Sequence, residues 1–334
     1  MTRRESIAVI GAGSWGTALA IQFARAEQLT TLWGRAEDEP ERLERERCNE
    51  RYLPDSRFPE DLRVDADIEK VVRNNHDVLI AVPSHALRIV LEEIKPFLTD
   101  DHRIAWATKG FEVKTGKLPH QVAAEVLGND VPLAVLSGPT FATEVGKGLP
   151  TAMTVAATNA NYATELATRI SNESFRAYTS DDIIGVEVGG AVKNVVAIAA
   201  GISDGIGFGA NTRVALISRG LVELRRLGEA LGAHADTFMG LSGMGDLVLT
   251  CTDNQSRNRR MGLGLAAGKK TDAVAKEIGQ VVEGVLAANA VHGVAERLNV
   301  EMPICEQVFQ ILYEDLTPEQ AVLALMSREI GPET

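Results

Sequence analysis

The stretch Ile7-Ala8-Val9-Ile10-Gly11-Ala12-Gly13-Ser14-Trp15-Gly16 decides the fold of the N-terminal part of the chain. It opens with a run of apolar residues, which predicts a strand covered on both faces of a parallel sheet. The remainder matches the pattern G-x-G-x-x-G, and an alanine-rich helix is predicted after it, over Thr17–Ala26. Strand, glycine pattern and helix in succession are typical of the turn that binds the pyrophosphate of a dinucleotide. The alternative is a tight strand–helix turn without a ligand.

Short β-branched runs alternate with helix-length segments through the first half of the chain, which predicts βαβ units and a mainly parallel sheet. The further predicted strands are Leu29–Trp33, Asp77–Val82, Arg103–Ala107, Leu133–Leu136, Thr151–Ala156 and Phe175–Tyr178. The charged segment Arg35–Lys70 mixes both signs, and we interpret it as a solvated helical surface.

The strand signal fades after about residue 183, and long Ala/Leu/Val/Gly-rich helices are predicted, such as Val186–Ala200, Thr212–Leu231 and Gly284–Leu298. The stretch from Ile183 to Ile202 is strongly apolar but contains Lys193, which favours a buried helix of a soluble domain over a membrane span. We therefore predict an α/β protein. Residues 1–190 form a dinucleotide-binding Rossmann-type domain, and residues 191–334 form an all-helical substrate-binding and catalytic domain.

The length of the chain indicates its number of domains, and its net charge excludes some kinds of binding partner. A chain of 334 residues suggests about two domains. Its 34 Lys and Arg residues against 46 Asp and Glu residues give a net charge of -12. That balance argues against a protein that coats nucleic acid or an anionic membrane, since both need a positively charged face, but it leaves room for a small basic pocket that binds an anionic metabolite.

The residues that could bind metals or form disulfides follow no recognisable pattern. Cys48, Cys251 and Cys305 are far apart and odd in number, and the six histidines share no ligand spacing. We therefore expect neither a disulfide framework nor a metal site, and a cytoplasmic location. Arg3 and Arg4 are followed by only four apolar residues, Ile7–Ile10, which are too few for the apolar region of a signal peptide, so we expect none.

The end of the second predicted strand bears on the choice of cofactor. Proteins that bind NAD usually have an acidic residue there, which hydrogen-bonds the ribose 2′-hydroxyl. This chain has Arg35, whose guanidinium can pair with a 2′-phosphate, so NADP(H) is favoured. Glu37 and Asp38 follow closely, so NAD(H) stays possible.

Two lysines are candidates for acid–base chemistry. Lys193 lies in an otherwise apolar helical stretch, and burial there would lower its pKa toward neutrality. The alternative is that its ammonium reaches the surface. Lys109 follows a predicted strand, at the sheet edge where ligands bind in open α/β folds. Asp246, which glycines precede, is either a site residue or an ordinary turn aspartate.

An arginine cluster is the candidate phosphate site. Asn254-Gln255-Ser256-Arg257-Asn258-Arg259-Arg260 combines three arginines with small hydrogen-bonding residues, and arginine suits phosphate recognition. A nucleic-acid surface is the competing interpretation, but no aromatic residues are interleaved for stacking. A positioned cofactor, an acid–base group and a polarising group are what hydride transfer requires.

In combination these motifs resemble the NAD(P)-dependent glycerol-3-phosphate dehydrogenases, in particular the bacterial type, along essentially the whole chain. The motifs that carry the resemblance are Val9–Ala18, Ala107–Gly110, Leu136–Ala142, Gly189–Asn194, Gly245–Leu247, Asn254–Arg260 and Gly279–Gly284. The resemblance implies reversible reduction of dihydroxyacetone phosphate to sn-glycerol 3-phosphate, which supplies glycerophospholipid synthesis. It also implies a homodimer.

The resemblance further implies roles for individual residues, with Lys193 as the proton donor and acceptor for the C2 oxygen. The other residues implied in catalysis are Lys109, Asp246, Asn194 and Thr250. The residues implied in substrate binding are Lys109, Gly138, Thr140, Lys193, Asp246, Ser256, Arg257 and Asn258. The residues implied in cofactor binding are Gly11, Gly13, Ser14, Trp15, Gly16, Arg35, Tyr52, Lys109, Ala142, Arg257, Val281 and Glu283.

Two other functions remain open. The chain could be a different two-domain dehydrogenase, NADP-dependent and acting on a 3-hydroxy acid or a 2-keto acid. It could also be an NADPH-binding sensor without turnover, although a buried Lys193 argues against that.

Overall fold

The computed structural model describes residues 6–329. They divide into two compact units. The first unit contains the residues up to Thr108 together with Pro119–Ile183, and the second contains Lys109–Leu118 and the residues from Ile184 onward. Arg3 and Arg4, on which the expectation about a signal peptide partly rests, lie outside this range.

The first unit is built on a mainly parallel sheet. Its strands in chain order are β1 (Ser6–Ile10), β2 (Leu29–Trp33), β3 (Cys48–Asn49), β4 (Leu53–Arg57), β5 (Leu62–Asp65), β6 (Asp77–Ile80), β7 (Arg103–Trp106), β8 (Leu133–Ser137), β9 (Thr151–Ala157) and β10 (Phe175–Ser180). Eight of them form one sheet in the order β10-β9-β8-β7-β6-β1-β2-β5, and β3 and β4 form a separate hairpin. Within the large sheet β8 and β9 are antiparallel, and the other neighbours are parallel.

Helices cover this sheet, as the alternation of elements predicts. They are α1 (Ser14–Arg25), α2 (Pro40–Glu46), α3 (Ile68–Arg73), α4 (Ser84–Ile94), α5 (Pro119–Leu127), α6 (Ala142–Lys147) and α7 (Ala160–Ile170). The strand β1 lies between β2 and β6, and Ile7–Ile10 are fully buried because both faces of the sheet are covered. The Rossmann-type fold and the mainly parallel sheet predicted from the sequence are confirmed.

The interpretation of Arg35–Lys70 as a purely helical surface is wrong. Besides α2, the segment contains the hairpin β3–β4 and the strand β5, which pairs with β2 at the edge of the large sheet. The inward side chains of β5 are Leu62 and Val64, which alternate with Arg63 and Asp65. Two apolar residues among many charges are too short a pattern to identify a strand from sequence.

The second unit is helical. Its helices are α8 (Ile183–Gly205), α9 (Ala210–Ala230), α10 (Asp246–Thr252), α11 (Arg257–Ala266), α12 (Thr271–Ile278), α13 (Glu283–Leu298), α14 (Pro303–Tyr313) and α15 (Pro318–Met326). Among the described residues α8 is the helix long and apolar enough to cross a membrane, yet most of it is buried in the core of this unit. The prediction of a buried core helix is therefore confirmed.

The two compact units divide at Ile183 and Ile184, at the start of α8. The reason is that α8 packs as a whole in the helical core. The segment Lys109–Leu118 also belongs to this unit, because Phe111 and Leu118 are buried in the same core. The helical unit therefore includes a short stretch from the first half of the chain.

Candidate active site

A buried aspartate holds two lysines in the helical unit. Asp246 Oδ1 accepts a hydrogen bond from Lys193 Nζ at 2.5 Å, and its Oδ2 accepts one from Lys109 Nζ at 2.6 Å. Thr250 Oγ1 accepts a further bond from Lys193 Nζ at 3.0 Å. Lys193 and Asp246 are both buried, so their charges lie largely away from water. These residues come from distant parts of the sequence and form one hydrogen-bonded cluster.

The cluster shifts the protonation equilibria of its members. Burial lowers the pKa of Lys193 to about 8, because desolvation and the charge of Lys109 together outweigh the attraction of Asp246. Burial alone would raise the pKa of Asp246, but the two lysines hold it below its ordinary value. At neutral pH the structure thus places a protonated amine that can release its proton beside a carboxylate that stays ionised.

Local helix geometry positions the aspartate and the threonine. Both lie on α10 one turn apart, so their side chains share one face. A π-helical turn, Leu241–Gly245, precedes α10, and such turns are frequent at functional sites. It approaches α8 so closely that a Cβ on Gly189 would lie 2.3 Å from the carbonyl oxygen of Ser242. The absence of a side chain at Gly189 therefore brings Asp246 within reach of Lys193.

A chain of amide hydrogen bonds connects three helices beside the lysine. Asn258 Nδ2 donates to Asn194 Oδ1 at 2.8 Å, and Asn258 Oδ1 accepts from the backbone N–H of Gly284 at 2.8 Å. Asn194 Nδ2 in turn donates to the carbonyl of Gly190 at 3.3 Å. Ser256 is buried at the start of α11, where its Oγ accepts a backbone N–H of the first turn. Asn194, Ser256 and Asn258 are thus fixed by internal bonds.

The three arginines of the predicted phosphate site have different environments. Arg257 is partly buried, and its Nη1 makes a long hydrogen bond of 3.4 Å to Gln280 Oε1. Arg259 is buried, and its Nη1 forms an ion pair with Asp204 Oδ2 at 2.5 Å. Arg260 is exposed. The expectation that the cluster as a whole supplies phosphate-binding cations is too broad, because the charge of Arg259 is compensated inside the unit.

Glu283 adds a carboxyl group among these cations. It begins α13 and is partly buried, and burial raises its pKa although Arg257, Lys109 and Lys193 act in the opposite direction. Within residues 6–329 its carboxylate has no hydrogen-bond or ion-pair partner. Val281 lies two positions earlier and is 41% exposed.

The glycine-rich turn of the first unit has the geometry expected of a pyrophosphate site. Gly11 has φ +118°, which favours glycine, and a Cβ on Gly16 would lie 1.9 Å from the carbonyl oxygen of Gly11. Beside Gly13 there is open space, and no side chain caps α1, which starts at Ser14. The indole N–H of Trp15 is buried without a hydrogen-bond partner in the described part of the chain. The turn therefore offers the space and the free donors that suit a bound dinucleotide.

The hairpin β3–β4 is fixed to this turn by one buried side chain. Asn49 Nδ2 donates to the carbonyl of Ala12 and to Thr17 Oγ1, both at 2.9 Å. Asn49 Oδ1 accepts the backbone N–H of Tyr52 at 3.3 Å. Tyr52, one of the predicted cofactor residues, is therefore held next to the glycine-rich turn.

Arg35 follows β2, where the sequence predicts it, and two carboxylates face it. Its Nε lies 3.6 Å from Asp38 Oδ2 and 3.8 Å from Glu37 Oε2. The Arg35 side chain is 67% exposed, so its guanidinium is available to a ligand, but the two acids offset part of its charge.

The remaining predicted residues lie at the carboxyl end of β8. Gly138 has φ +156°, and a Cβ there would lie 2.9 Å from Met153 Cα. Thr140 Oγ1 donates to the carbonyl of Gly138 at 3.2 Å, and Ala142 begins α6. Ligands of open α/β sheets bind at this edge.

Across residues 6–329 no group of His, Cys, Asp or Glu side chains is placed to hold a metal ion. The three cysteines are buried and form no disulfide.

Comparison with known proteins decides the family. The model of the NAD-dependent glycerol-3-phosphate dehydrogenase N-terminus matches residues 6–163, and that of its C-terminus matches residues 182–323. The chain is 56% identical over 330 residues to a protein of Aeromonas hydrophila called glycerol-3-phosphate dehydrogenase [NAD(P)+], covering 98% of this chain and 99% of that protein. The chain belongs to the NAD-dependent glycerol-3-phosphate dehydrogenase family. It is an oxidoreductase.

Solved structures of glycerol-3-phosphate dehydrogenases share the whole fold. The enzyme of Coxiella burnetii superimposes with a TM-score of 0.94 at 47% identity, covering 97% of this chain and 99% of that chain. The enzyme of Saccharomyces cerevisiae gives a TM-score of 0.84 at 26% identity, with the same coverage. Both units of this family member are therefore represented in known structures.

Some residues that shape the site of this glycerol-3-phosphate dehydrogenase family member were not predicted. Asn49 carries no local signal, because its partners Ala12 and Thr17 are distant in sequence. The pairing of Arg259 with Asp204 is equally non-local. The sequence did indicate that Arg259 and Arg257 have different surroundings. They lie two residues apart, and on a helix this spacing directs their side chains to different faces.

Proposed function

We propose that the protein catalyses the reversible NAD(P)H-dependent reduction of dihydroxyacetone phosphate to sn-glycerol 3-phosphate. The observation that supports this proposal most strongly is the buried ammonium of Lys193 held on Asp246. The family, and the names of relatives that are 56% identical over nearly the whole chain, support the substrate and the cofactor.

In this proposal Lys193 is the general acid. A nicotinamide, when bound, would supply the hydride for C2, and the electron pair of the carbonyl π bond would move to the C2 oxygen. One N–H bond of Lys193 breaks as the O–H bond of the product forms, and the neutral amine regains a proton from water. Asp246 and Thr250 hold Nζ in one position during the transfer, because each binds it directly. Acid catalysis of this kind typically contributes about 10²–10⁴-fold to the rate.

The substrate phosphate is proposed to bind at the start of α11. Arg257 has no carboxylate within ion-pair distance in the range 6–329, so its charge is available to a dianion. Ser256 accepts a backbone N–H, which leaves its hydroxyl hydrogen for the ligand. Asn258 uses one of its two N–H groups on Asn194 and keeps the other.

The first unit is proposed to bind the dinucleotide, with its pyrophosphate at the glycine-rich turn. Arg35 favours NADP(H) through its 2′-phosphate, while Glu37 and Asp38 leave NAD(H) acceptable. The residues proposed to contact the cofactor are Gly11, Gly13, Ser14, Trp15, Gly16, Arg35, Tyr52, Lys109, Ala142, Arg257, Val281 and Glu283. The residues proposed to contact the substrate, besides those of α11, are Lys109, Gly138, Thr140, Lys193 and Asp246. Asn194 is proposed as a supporting catalytic residue.

The physiological setting is proposed on the same grounds. The reaction would supply sn-glycerol 3-phosphate to glycerophospholipid synthesis in the cytoplasm. The enzyme would act as a homodimer, with a dinucleotide-binding domain in residues 1–190 and the proton donor Lys193 in a helical domain of residues 191–334.

The test follows NADPH absorbance with dihydroxyacetone phosphate, with unphosphorylated dihydroxyacetone as the control. We expect oxidation of NADPH with the phosphorylated ketone alone, and repetition with NADH then measures the cofactor preference. Binding of NADPH without reduction of either ketone would contradict the proposal. It would favour a dehydrogenase for another hydroxy or keto acid, or a sensor without turnover.

A further inference from the structure

We propose that Arg51 is a second residue that recognises the 2′-phosphate of NADP(H), acting beside Arg35. This inference rests on the proposed function only in assuming that the nucleotide binds at the glycine-rich turn. Arg51 lies in the hairpin β3–β4, whereas the residue that selects between NAD(H) and NADP(H) usually lies at the end of the second strand.

The hairpin that carries Arg51 is a fixed part of the first unit. Asn49 is 2% exposed and ties the hairpin to the carbonyl of Ala12 in the glycine-rich turn. Leu53 is buried in the core of the same unit, and a Cβ on Gly146 of α6 would lie 2.4 Å from it. Because Asn49 and Leu53 anchor both sides of the hairpin tip, the backbone of Arg51 has a defined position.

The side chain of Arg51 extends toward the loop that carries Arg35. Its Nη1 donates to the carbonyl oxygen of Glu37 at 3.4 Å, so the guanidinium lies beside the segment that follows β2. The guanidinium carbon lies 5.0 Å from the ring centroid of Tyr52, in cation–π contact. These two contacts place a second guanidinium next to the loop after β2, where proteins of this fold recognise the ribose 2′ substituent.

The charge of Arg51 is uncompensated, which distinguishes it from Arg35. Arg35 has the carboxylates of Glu37 and Asp38 within 3.8 Å and 3.6 Å. In the described part of the chain no carboxylate lies within ion-pair distance of Arg51. A phosphate dianion needs positive charge to offset its desolvation, and a guanidinium offers paired N–H donors to its oxygens. Arg51 therefore supplies the positive charge that the acids around Arg35 partly cancel.

The experiment measures binding of two nucleotide fragments to the full chain by calorimetry. The probe 2′,5′-ADP carries the 2′-phosphate, and 5′-AMP lacks it. We expect Arg51→Ala to weaken 2′,5′-ADP about 10-fold, as for loss of one charge-assisted hydrogen bond, and 5′-AMP less than about 2-fold. Arg51→Lys keeps the charge and should recover part of the affinity for 2′,5′-ADP.

Arg57→Ala is the matched control. Arg57 belongs to the same hairpin and carries the same charge, but its Nη1 donates to the carbonyl of Glu46 at 3.1 Å, away from Glu37. We expect both probes to bind this variant as they bind the wild type. Equal loss of 2′,5′-ADP affinity in Arg57→Ala would show a general charge effect and overturn the inference.

Two further results would also overturn it: unchanged affinity of Arg51→Ala for 2′,5′-ADP, or equal weakening of both probes. NADH-dependent reduction of dihydroxyacetone phosphate, measured on the same variants, separates this inference from the proposed function. We expect Arg51→Ala to retain that rate. If the wild type reduces no dihydroxyacetone phosphate while its 2′,5′-ADP binding depends on Arg51, the proposed reaction fails and the role of Arg51 stands.

Discussion

The carboxylate of Asp246 binds the ammonium of Lys193 through Oδ1 at 2.5 Å and the ammonium of Lys109 through Oδ2 at 2.6 Å. One buried anion thus compensates two cations, and a net positive charge remains. Burial lowers the pKa of Lys193 to about 8, while the charge of Asp246 opposes that shift and the charge of Lys109 adds to it. The amine therefore stays protonated at pH 7.

The pH dependence of the two reaction directions should be opposite. Reduction requires protonated Lys193, so its rate should fall as pH rises through about 8, the pKa of that amine. Oxidation of sn-glycerol 3-phosphate requires the neutral amine, so its rate should rise through the same range. Profiles of kcat/KM against pH in both directions check this. Parallel profiles would exclude Lys193 as the titrating group.

Asp246→Asn should lower the pKa of Lys193 further. The carboxylate raises that pKa, so its removal leaves burial and the charge of Lys109 unopposed. The fall in the rate of reduction should therefore move to lower pH, and kcat should drop by about 10²-fold or more. The control Asp272→Asn removes a similar charge from exposed α12 and should change neither quantity. An unmoved profile in Asp246→Asn would contradict this electrostatic role.

The three arginines of α11 should give three different phenotypes. Arg257→Ala should raise KM for dihydroxyacetone phosphate about 10- to 100-fold, because an ionic hydrogen bond to phosphate is lost. Arg260→Ala removes an exposed charge and is the matched control, with KM and stability near wild type. Arg259→Ala should lower the free energy of unfolding by about 1–3 kcal/mol, because the bonds of Arg259 to Asp204 and to the carbonyl of Cys251 are lost while Arg213 still pairs with Asp204. Steady-state kinetics and urea unfolding distinguish the three, and equal KM values in Arg257→Ala and wild type would move the phosphate site elsewhere.

Asn49→Ala should weaken nucleotide binding without touching the acid–base group. The change leaves the carbonyl of Ala12 without its amide donor and frees the hairpin tip. We expect the free energy of unfolding to fall by about 1–3 kcal/mol, as for the loss of a buried hydrogen-bonded group. We also expect a higher KM for NADPH and an unchanged dependence of the rate on pH. Asn161→Ala, on the exposed face of α7, serves as the control. An unchanged KM for NADPH in Asn49→Ala would show that the hairpin does not shape the turn.

Local patterns were sufficient to predict the framework of both units. The run Ile7–Ile10 and the glycines after it define a strand and a turn within a few residues, and the apolar length of α8 indicates a core helix. Contacts between distant residues could not be predicted in this way. Lys109 follows the carboxyl end of β7, as the sequence predicts, but nothing in the sequence indicated that its segment belongs to the helical unit, where Phe111 is buried in the core.

In the candidate site, too, some residues could be identified from the sequence, whereas their contacts could not. Lys193 was identified because an amine in an apolar helix is costly unless it has a role, and the structure indeed buries it. The roles of its neighbours came from the family resemblance, and distances such as that between Lys193 and Thr250 require the folded chain. Arg51 gave no signal in the sequence, since an exposed arginine in a charged segment is ordinary, and only its contact with Glu37 singles it out.

The central claim is that Lys193 delivers the proton to the C2 oxygen. The measurement that tests it most directly is the turnover of Lys193→Ala with dihydroxyacetone phosphate and NADPH, alongside the Kd for NADPH. We predict a fall in kcat of about 10³-fold or more, partial rescue by added primary amines, and a Kd for NADPH within about 2-fold of wild type. Turnover within about 10-fold of the wild-type rate, with the same pH profile, would contradict the claim.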